Sequence, residues 1–172
     1  MKVTYSAKAN ITHRTQQLQD GKSVEVISLT QAEHAQDAQL VLEWNFPILD
    51  IAGRWHPNCR FDRSIKADWS YGEKSMSAVS APVISFFNEE GQNRGTFALS
   101  ETLKEVRMSL GVHEEDGTMN CMVVVSLGTL DSDYYELSLL CDDRNVRYEQ
   151  AIREVGIWWE TDCGLHPASV PE

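Results

Sequence analysis

The chain has 172 residues, of which 26 are acidic and 15 are Lys or Arg, so its formal net charge at pH 7 is −11. A hydrophobic content of 42%, with five Trp, excludes a disordered chain, because this much apolar surface can offset the entropy lost on ordering the backbone. The negative charge and the lack of a Lys/Arg cluster argue against nucleic acid and an anionic membrane as partners. The length corresponds to one domain.

The hydrophobic pattern is mostly that of β-strands, in which alternate side chains face a core. Strands are predicted, in chain order, at residues 24–29, 40–46, 65–71, 83–87, 106–112, 119–125 and 135–141. The turn residues Glu114–Gly117 predict a hairpin between the fifth and sixth of these strands. We expect the last three strands to form an antiparallel meander.

One helix is predicted near the carboxyl end of the chain, where the apolar period changes from two to that of an α-helix. Its apolar stripe consists of Tyr148, Ile152, Val155 and Trp159. Asp142 or Asp143 could cap its start, and Gly164 would help to end it. Short strands, hairpin connections and one peripheral helix predict an all-β fold, an antiparallel β-sandwich with a C-terminal helix. The domain is expected to span residues 1–164, followed by a linker at 165–172.

Cysteine and histidine spacing gives no indication of a metal or redox site. The four Cys residues form no C-x-x-C pair, and we expect them to be small buried side chains in a reducing compartment. The acidic segment His113–Asp116 lies where a turn is expected, so solvated charges are favoured over metal ligands. No signal peptide or membrane-spanning stretch is visible. A cytoplasmic protein without cofactor or metal is therefore expected.

The residues needed for catalysis are not arranged in any familiar pattern. We find no G-x-S-x-G elbow, no Gly-rich phosphate loop before a helix and no calcium-loop spacing. Catalysis by this chain alone is therefore not expected, and no catalytic residue is assigned.

Two polar segments are candidates for ligand contact. Residues 51–58 place Arg54, Trp55 and His56 in a predicted loop, and an aromatic face with hydrogen-bonding neighbours is typical of carbohydrate contacts. An equally good interpretation is that Trp55 fills the core and His56 is an ordinary loop residue. The second segment, residues 88–95, contains Asn93 and is predicted to be a turn.

The helix carries two adjacent Trp residues, Trp158 and Trp159. Adjacent residues on a helix point about 100° apart, so the sequence predicts that both cannot face the sheet of this domain. We therefore expect one of them to pack on something else.

Three segments carry a resemblance to a known family. They are Ser80–Asn88, Gly91–Ser100 and Ala151–Glu160, and together they resemble the N-terminal region of bacterial, melibiase-like α-galactosidases of glycoside hydrolase family 36. The likeness is strongest from about residue 80 to the end, where residues 167–172 are similar to the linker of such enzymes. In that family an N-terminal β-supersandwich of the galactose mutarotase-like type precedes a (β/α)8 catalytic barrel.

The resemblance implies a non-catalytic role for this chain. The family's Asp nucleophile and Asp acid/base lie on barrel strands, which would follow Glu172. The implied partners are the protein's own barrel and galactosides. Trp55 is the first candidate for a residue at the rim of the sugar pocket, and the next candidates are Arg54, His56 and Asn93. Trp158 and Trp159 would then face the barrel.

Two alternatives stay open at this point. The chain could be an independent carbohydrate-binding β-sandwich module, which would bind galactosides by itself. It could also be an interaction domain with no sugar role.

Overall fold

The computed structural model describes residues 2–31, 38–47, 51–55, 63–64, 70–71, 83–100, 106–115, 118–127 and 133–163. The described part consists almost entirely of antiparallel β-structure. Its elements are β1 (Lys2–Tyr5), β2 (Ala9–Gln17), β3 (Ser23–Gln31), β4 (Ala38–Pro47), β5 (Gly53–Trp55), β6 (Arg63–Ser64), β7 (Ser70–Tyr71), β8 (Val83–Phe87), β9 (Asn93–Leu99), β10 (Val106–Glu115), β11 (Thr118–Leu127), β12 (Tyr134–Asp142) and α1 (Tyr148–Thr161).

A five-stranded sheet has the order β1-β4-β11-β10-β7. The hairpin predicted between β10 and β11 is confirmed, with a ladder that runs from Val106 opposite Leu127 to Glu115 opposite Thr118. Glu114 and Glu115, which were predicted in the turn, belong to β10. Because these side chains are charged, the apolar alternation does not show that the strand continues through them.

A seven-stranded sheet has the order β2-β3-β12-β9-β8-β5-β6. In it β12 pairs with β3 and β9, so the prediction that β12 continues a meander after β11 is wrong. The apolar alternation marks β12 as a strand but does not select its neighbours. Leu137, Leu139 and Leu140 are buried on both faces of β12, as a central strand of a covered sheet requires.

The other strand predictions have mixed outcomes. Those at residues 24–29, 40–46 and 83–87 are confirmed as β3, β4 and β8. Of the strand predicted at 65–71, Ser70–Tyr71 is described, as β7, and the rest lies outside the described residues. The predicted loop at 51–58 is wrong at Gly53–Trp55, which form β5 against β8. A three-residue strand is too short to show an alternation.

Both faces of the seven-stranded sheet are buried in its centre, at β3, β12, β9 and β8. On one face, α1 packs through Val155, Trp158 and Trp159 onto residues of β3, β8, β9 and β12. The other face is formed by Ile27, Leu29, Ile84, Phe86, Phe97, Leu99, Leu137 and Leu139. The two antiparallel sheets and the C-terminal helix confirm the all-β fold class. The predicted β-sandwich implies that the five-stranded sheet packs on this second face.

The start of α1 differs from the prediction. Asp142 lies in β12, and the N-cap residue is Arg147, which makes no side-chain capping hydrogen bond. The ring of Tyr148 instead stacks on Phe87, with 4.3 Å between centroids, so an aromatic contact fixes the first turn. The helix ends at Thr161 with Asp162 as C-cap. Gly164 and the linker predicted at 165–172 lie outside the described residues. Within the described ranges, no helix is long and apolar enough to span a membrane.

Candidate functional site

The predicted sugar-contact residues are not brought together by the described part of the structure. Trp55 ends β5, opposite Ser85 of β8, and its half-buried side chain packs against the core cluster under α1. Arg54 precedes it in β5, opposite Phe86, but its side chain is not among those described. His56 lies outside the described residues. The interpretation in which Trp55 helps to fill the core therefore accounts for its contacts.

Asn93, which is predicted to lie near a sugar site, is a buried residue whose contacts are structural. Its side chain is 1% exposed, and its amide group donates hydrogen bonds of 3.0 Å to the carbonyl oxygens of Asp142 and Arg144. Its amide oxygen accepts from the Gly95 N–H at 3.2 Å and the Thr96 hydroxyl at 2.8 Å. A side chain with two donated and two accepted bonds in the interior has no polar capacity left for a ligand.

The turn predicted at residues 88–95 is confirmed from Asn88 to Gln92, and it supports the start of α1. The Asn88 side chain accepts from the Gln92 N–H at 2.8 Å, and Gly91 has φ +74°. The Tyr148 N–H donates to the Gly91 carbonyl at 3.1 Å. This turn therefore holds the helix.

Both tryptophans of α1 are covered by this chain, which contradicts the prediction that one of them must face elsewhere. Trp158 is 6% and Trp159 is 4% exposed, and the Trp159 indole N–H donates to the Leu99 carbonyl at 2.8 Å. An apolar helix face is at least 100° wide, so neighbouring residues can form its two borders. They are therefore not available as a surface for a catalytic barrel.

A charged cluster, which we call the α1 ion network, joins the β2–β3 turn, the end of β12 and α1. It was not predicted. The Arg144 guanidinium binds both carboxylate oxygens of buried Asp142, with Nε–Oδ1 2.9 Å and Nη2–Oδ2 2.8 Å, and also contacts Glu154. Lys22 Nζ lies 2.7 Å from Asp20 Oδ2 and 3.1 Å from Glu154 Oε2. Because these residues come from three separate segments, no local sequence motif predicts the cluster.

The α1 ion network favours the charged forms of Glu154 and Arg144. Partial burial acts to raise the pKa of Glu154, but hydrogen bonds from Gln150, Arg144 and Lys22 outweigh it and lower this pKa to about 2. The hydrogen bond to Asp142 raises the pKa of Arg144 above its ordinary value. Glu154 therefore has no proton to donate at neutral pH, and Arg144 cannot act as a base. The network is a structural joint rather than an acid–base pair.

A cavity of about 380 Å³ lies beside the α1 ion network. It is lined by Leu18, Asp20, Lys22, Arg144, Glu154, Ile157, Trp158, Thr161 and Asp162. Lys22 and Arg144, its two cations, are both paired with carboxylates, so a bound anion would have to displace an internal ion pair.

The cysteines partly match their prediction. Cys141 and Cys163 are partly buried rather than fully buried, and burial raises the pKa of Cys141 to about 12. The side chains of Cys59, Cys121 and the segment His113–Asp116 are not described. Among the described residues, no three His, Cys, Asp or Glu side chains are placed to hold a metal ion.

Comparison with known proteins adds no relative. No family model matches the chain, and no curated protein or solved structure matches it either.

Proposed function

We propose that the chain is the non-catalytic N-terminal β domain of an α-galactosidase, which packs beside the catalytic barrel and holds it in place. The observation that carries this proposal is the anchoring of α1. This helix bears Ala151–Glu160, the last of the three segments that resemble the family, and it contacts the rest of the domain in its first turn, its middle and its last turns.

The anchoring uses three different interactions. The first turn is held by the Tyr148–Phe87 ring stack, the middle by Glu154 in the α1 ion network, and the last turns by the hydrogen bond from Trp159. A helix that is fixed at its start, middle and end gives the following chain a defined starting point. This is what an orienting domain needs.

The chemistry of α-galactoside hydrolysis is assigned to the barrel. A retaining glycosidase uses one carboxyl group as nucleophile and a second as acid/base, about 5–5.5 Å apart. The ionised Glu154, held by two cations, supports a structural role for the charged residues of this domain.

Of the domain's residues, only those in the β5 region are proposed to line the wall of the galactose pocket. Trp55 is half-buried, so part of this residue stays accessible at the end of β5. Arg54 and His56, its neighbours in the chain, are proposed for the same wall. Asn93 is not, because its polar groups are already used inside the domain.

Galactoside titration of the 172-residue chain tests this function. Melibiose and galactose are titrated while the tryptophan fluorescence is followed, with glucose as the control sugar. We expect no saturable change up to about 10 mM sugar, because a supporting domain has no complete sugar site. Galactoside-specific saturation at about 1 mM or below would refute the supporting role and favour the independent carbohydrate-binding module.

The natural reading frame beyond the codon for Glu172 is the second test. We expect about 300 or more further residues with alternating strand and helix patterns. A stop codon directly after Glu172 would refute the α-galactosidase assignment.

A further inference from the structure

The strand β2 forms one edge of the seven-stranded sheet and is exposed. It pairs with β3 through an unbroken nine-residue register, from Ala9 opposite Gln31 to Gln17 opposite Ser23. All six residues from Thr12 to Gln17 are exposed, although side chains in a strand point alternately to opposite faces. Exposure on both faces at consecutive positions shows that neither face of this part of β2 is covered.

This edge has little of the usual protection against pairing with another strand. Natural edge strands are kept short, or carry charged side chains, especially Lys, or Pro or a bulge. β2 has nine residues, no Pro, no Lys and no break in its register with β3, and Arg14 is its one Lys or Arg residue. Among the described strands, β6 at the opposite edge of this sheet has only two residues. The two edges therefore differ in their capacity to pair.

Charge also distinguishes this edge from the rest of the chain. The net charge of the chain is −11, yet residues 1–19 contain no Asp or Glu and carry Lys2, Lys8 and Arg14. Two copies that meet at β2 therefore bring together their least acidic segments. Contact at β2 therefore keeps the acidic parts of the two copies away from each other, which lowers the repulsion between two acidic chains relative to contact elsewhere.

We propose that β2 is a self-association edge, at which a second copy of this chain adds its own β2 in antiparallel orientation. The full nine-residue overlap places Ala9 opposite Gln17 of the second copy, Thr12 opposite Arg14, and His13 opposite His13. Two-fold symmetry requires such a register, because each cross-strand pair must recur with the copies exchanged. The contact is about 30 Å long.

This arrangement provides hydrogen-bond partners for the backbone of β2 and avoids unfavourable charge pairs between the two copies. The backbone N–H and C=O groups on the outer side of β2 gain partners in the second copy. Arg14 meets an uncharged Thr, so no cross-strand pair in β2 joins two charged Lys or Arg residues. The two seven-stranded sheets become one continuous sheet with both α1 helices on the same side.

The test uses the 172-residue chain and light scattering after size exclusion to measure its mass in solution. We expect the mass of two chains. Thr12→Lys places a second cation opposite Arg14 at two symmetric positions and is expected to weaken the dimer by about tenfold. Thr30→Lys is the matched control, since Thr30 is also exposed but lies one strand inside the edge. It should leave the dimer intact.

The register is tested by mild oxidation of single-cysteine additions. His13→Cys should form a disulfide-linked dimer, whereas Gln17→Cys, on the same strand, should not, because its copies would lie about 27 Å apart. The unsubstituted chain gives the background from the native thiols, and circular dichroism checks that each variant is folded. A single-chain mass for the unsubstituted protein would overturn the proposal. Equal losses in both Lys variants, or equal cross-linking of both Cys variants, would overturn it as well.

Discussion

The indole N–H of Trp159 donates a hydrogen bond of 2.8 Å to the carbonyl oxygen of Leu99, so the last turns of α1 are tied to a strand 60 residues earlier. Both residues are almost fully buried. This contact makes the helix part of the sheet's core. It also makes Trp159 unavailable to another domain.

Trp159→Phe should lower the free energy of unfolding by about 1–3 kcal/mol, because the buried Leu99 carbonyl loses a donor while most of the aromatic volume stays. Urea unfolding followed by circular dichroism measures the change. Ile157→Ala is the control, since this side chain is 53% exposed on the same helix and should cost about 0.5 kcal/mol or less. Equal losses in the two variants would contradict the anchoring role.

Glu154→Gln should lower the free energy of unfolding at pH 7 by about 1–2 kcal/mol, because the buried ammonium of Lys22 and the guanidinium of Arg144 lose an ionised partner. The comparison is made by urea unfolding. Glu160→Gln, at an exposed position of the same helix, is the control and should change little.

The effect of Glu154 should also depend on pH in a defined direction. Its pKa in the folded protein, about 2, lies below the ordinary 4.5, so folding favours the ionised form. The stabilisation is therefore complete above about pH 5 and is lost as the pH falls toward 2. The difference between the unsubstituted chain and Glu154→Gln should shrink over this range. A difference that stays constant down to pH 2.5 would disprove the assignment.

The sequence predicts the elements of this fold better than their arrangement. Alternation over residues 40–46 and 106–112 identifies β4 and β10, because each strand has one apolar and one polar face. It does not specify which strands pair, and β12 belongs to the other sheet than its predecessor β11. Pairing depends on side chains that meet only after the chain has folded.

The candidate site is predictable only in part, for a related physical reason. Asn93 looks like a ligand-binding amide in the sequence, but its partners, the carbonyl oxygens of Asp142 and Arg144, are distant in the chain. The α1 ion network likewise combines residues about 120 positions apart, such as Lys22 and Arg144. Composition reveals that such groups exist, but only the fold shows that they are already paired.

Asn93→Asp should destabilise the fold by about 2–4 kcal/mol at pH 7. The substitution removes the amide donors and directs a carboxylate oxygen at the carbonyls of Asp142 and Arg144. Thermal and urea unfolding measure the loss. Asn145→Asp, at an exposed position of the following loop, should cost far less. A fully stable Asn93→Asp variant with altered galactoside binding would restore Asn93 as a ligand residue.

Cys141 should react slowly with iodoacetamide at pH 8 in the folded protein, because burial raises its pKa to about 12 and leaves almost no thiolate. In urea the same thiol should react quickly. Mass spectrometry of tryptic peptides compares the two states. Equal alkylation rates in buffer and in urea would contradict the buried position of this thiol.

The supporting role in an α-galactosidase is tested most directly by enzyme activity. The 172-residue chain and the product of the complete natural reading frame are assayed side by side with p-nitrophenyl α-galactoside. We expect hydrolysis by the complete product and none by the 172-residue chain, since both catalytic carboxyl groups are assigned to the barrel. Hydrolysis by the 172-residue chain, or a complete product that is folded but inactive on α-galactosides, would contradict the account.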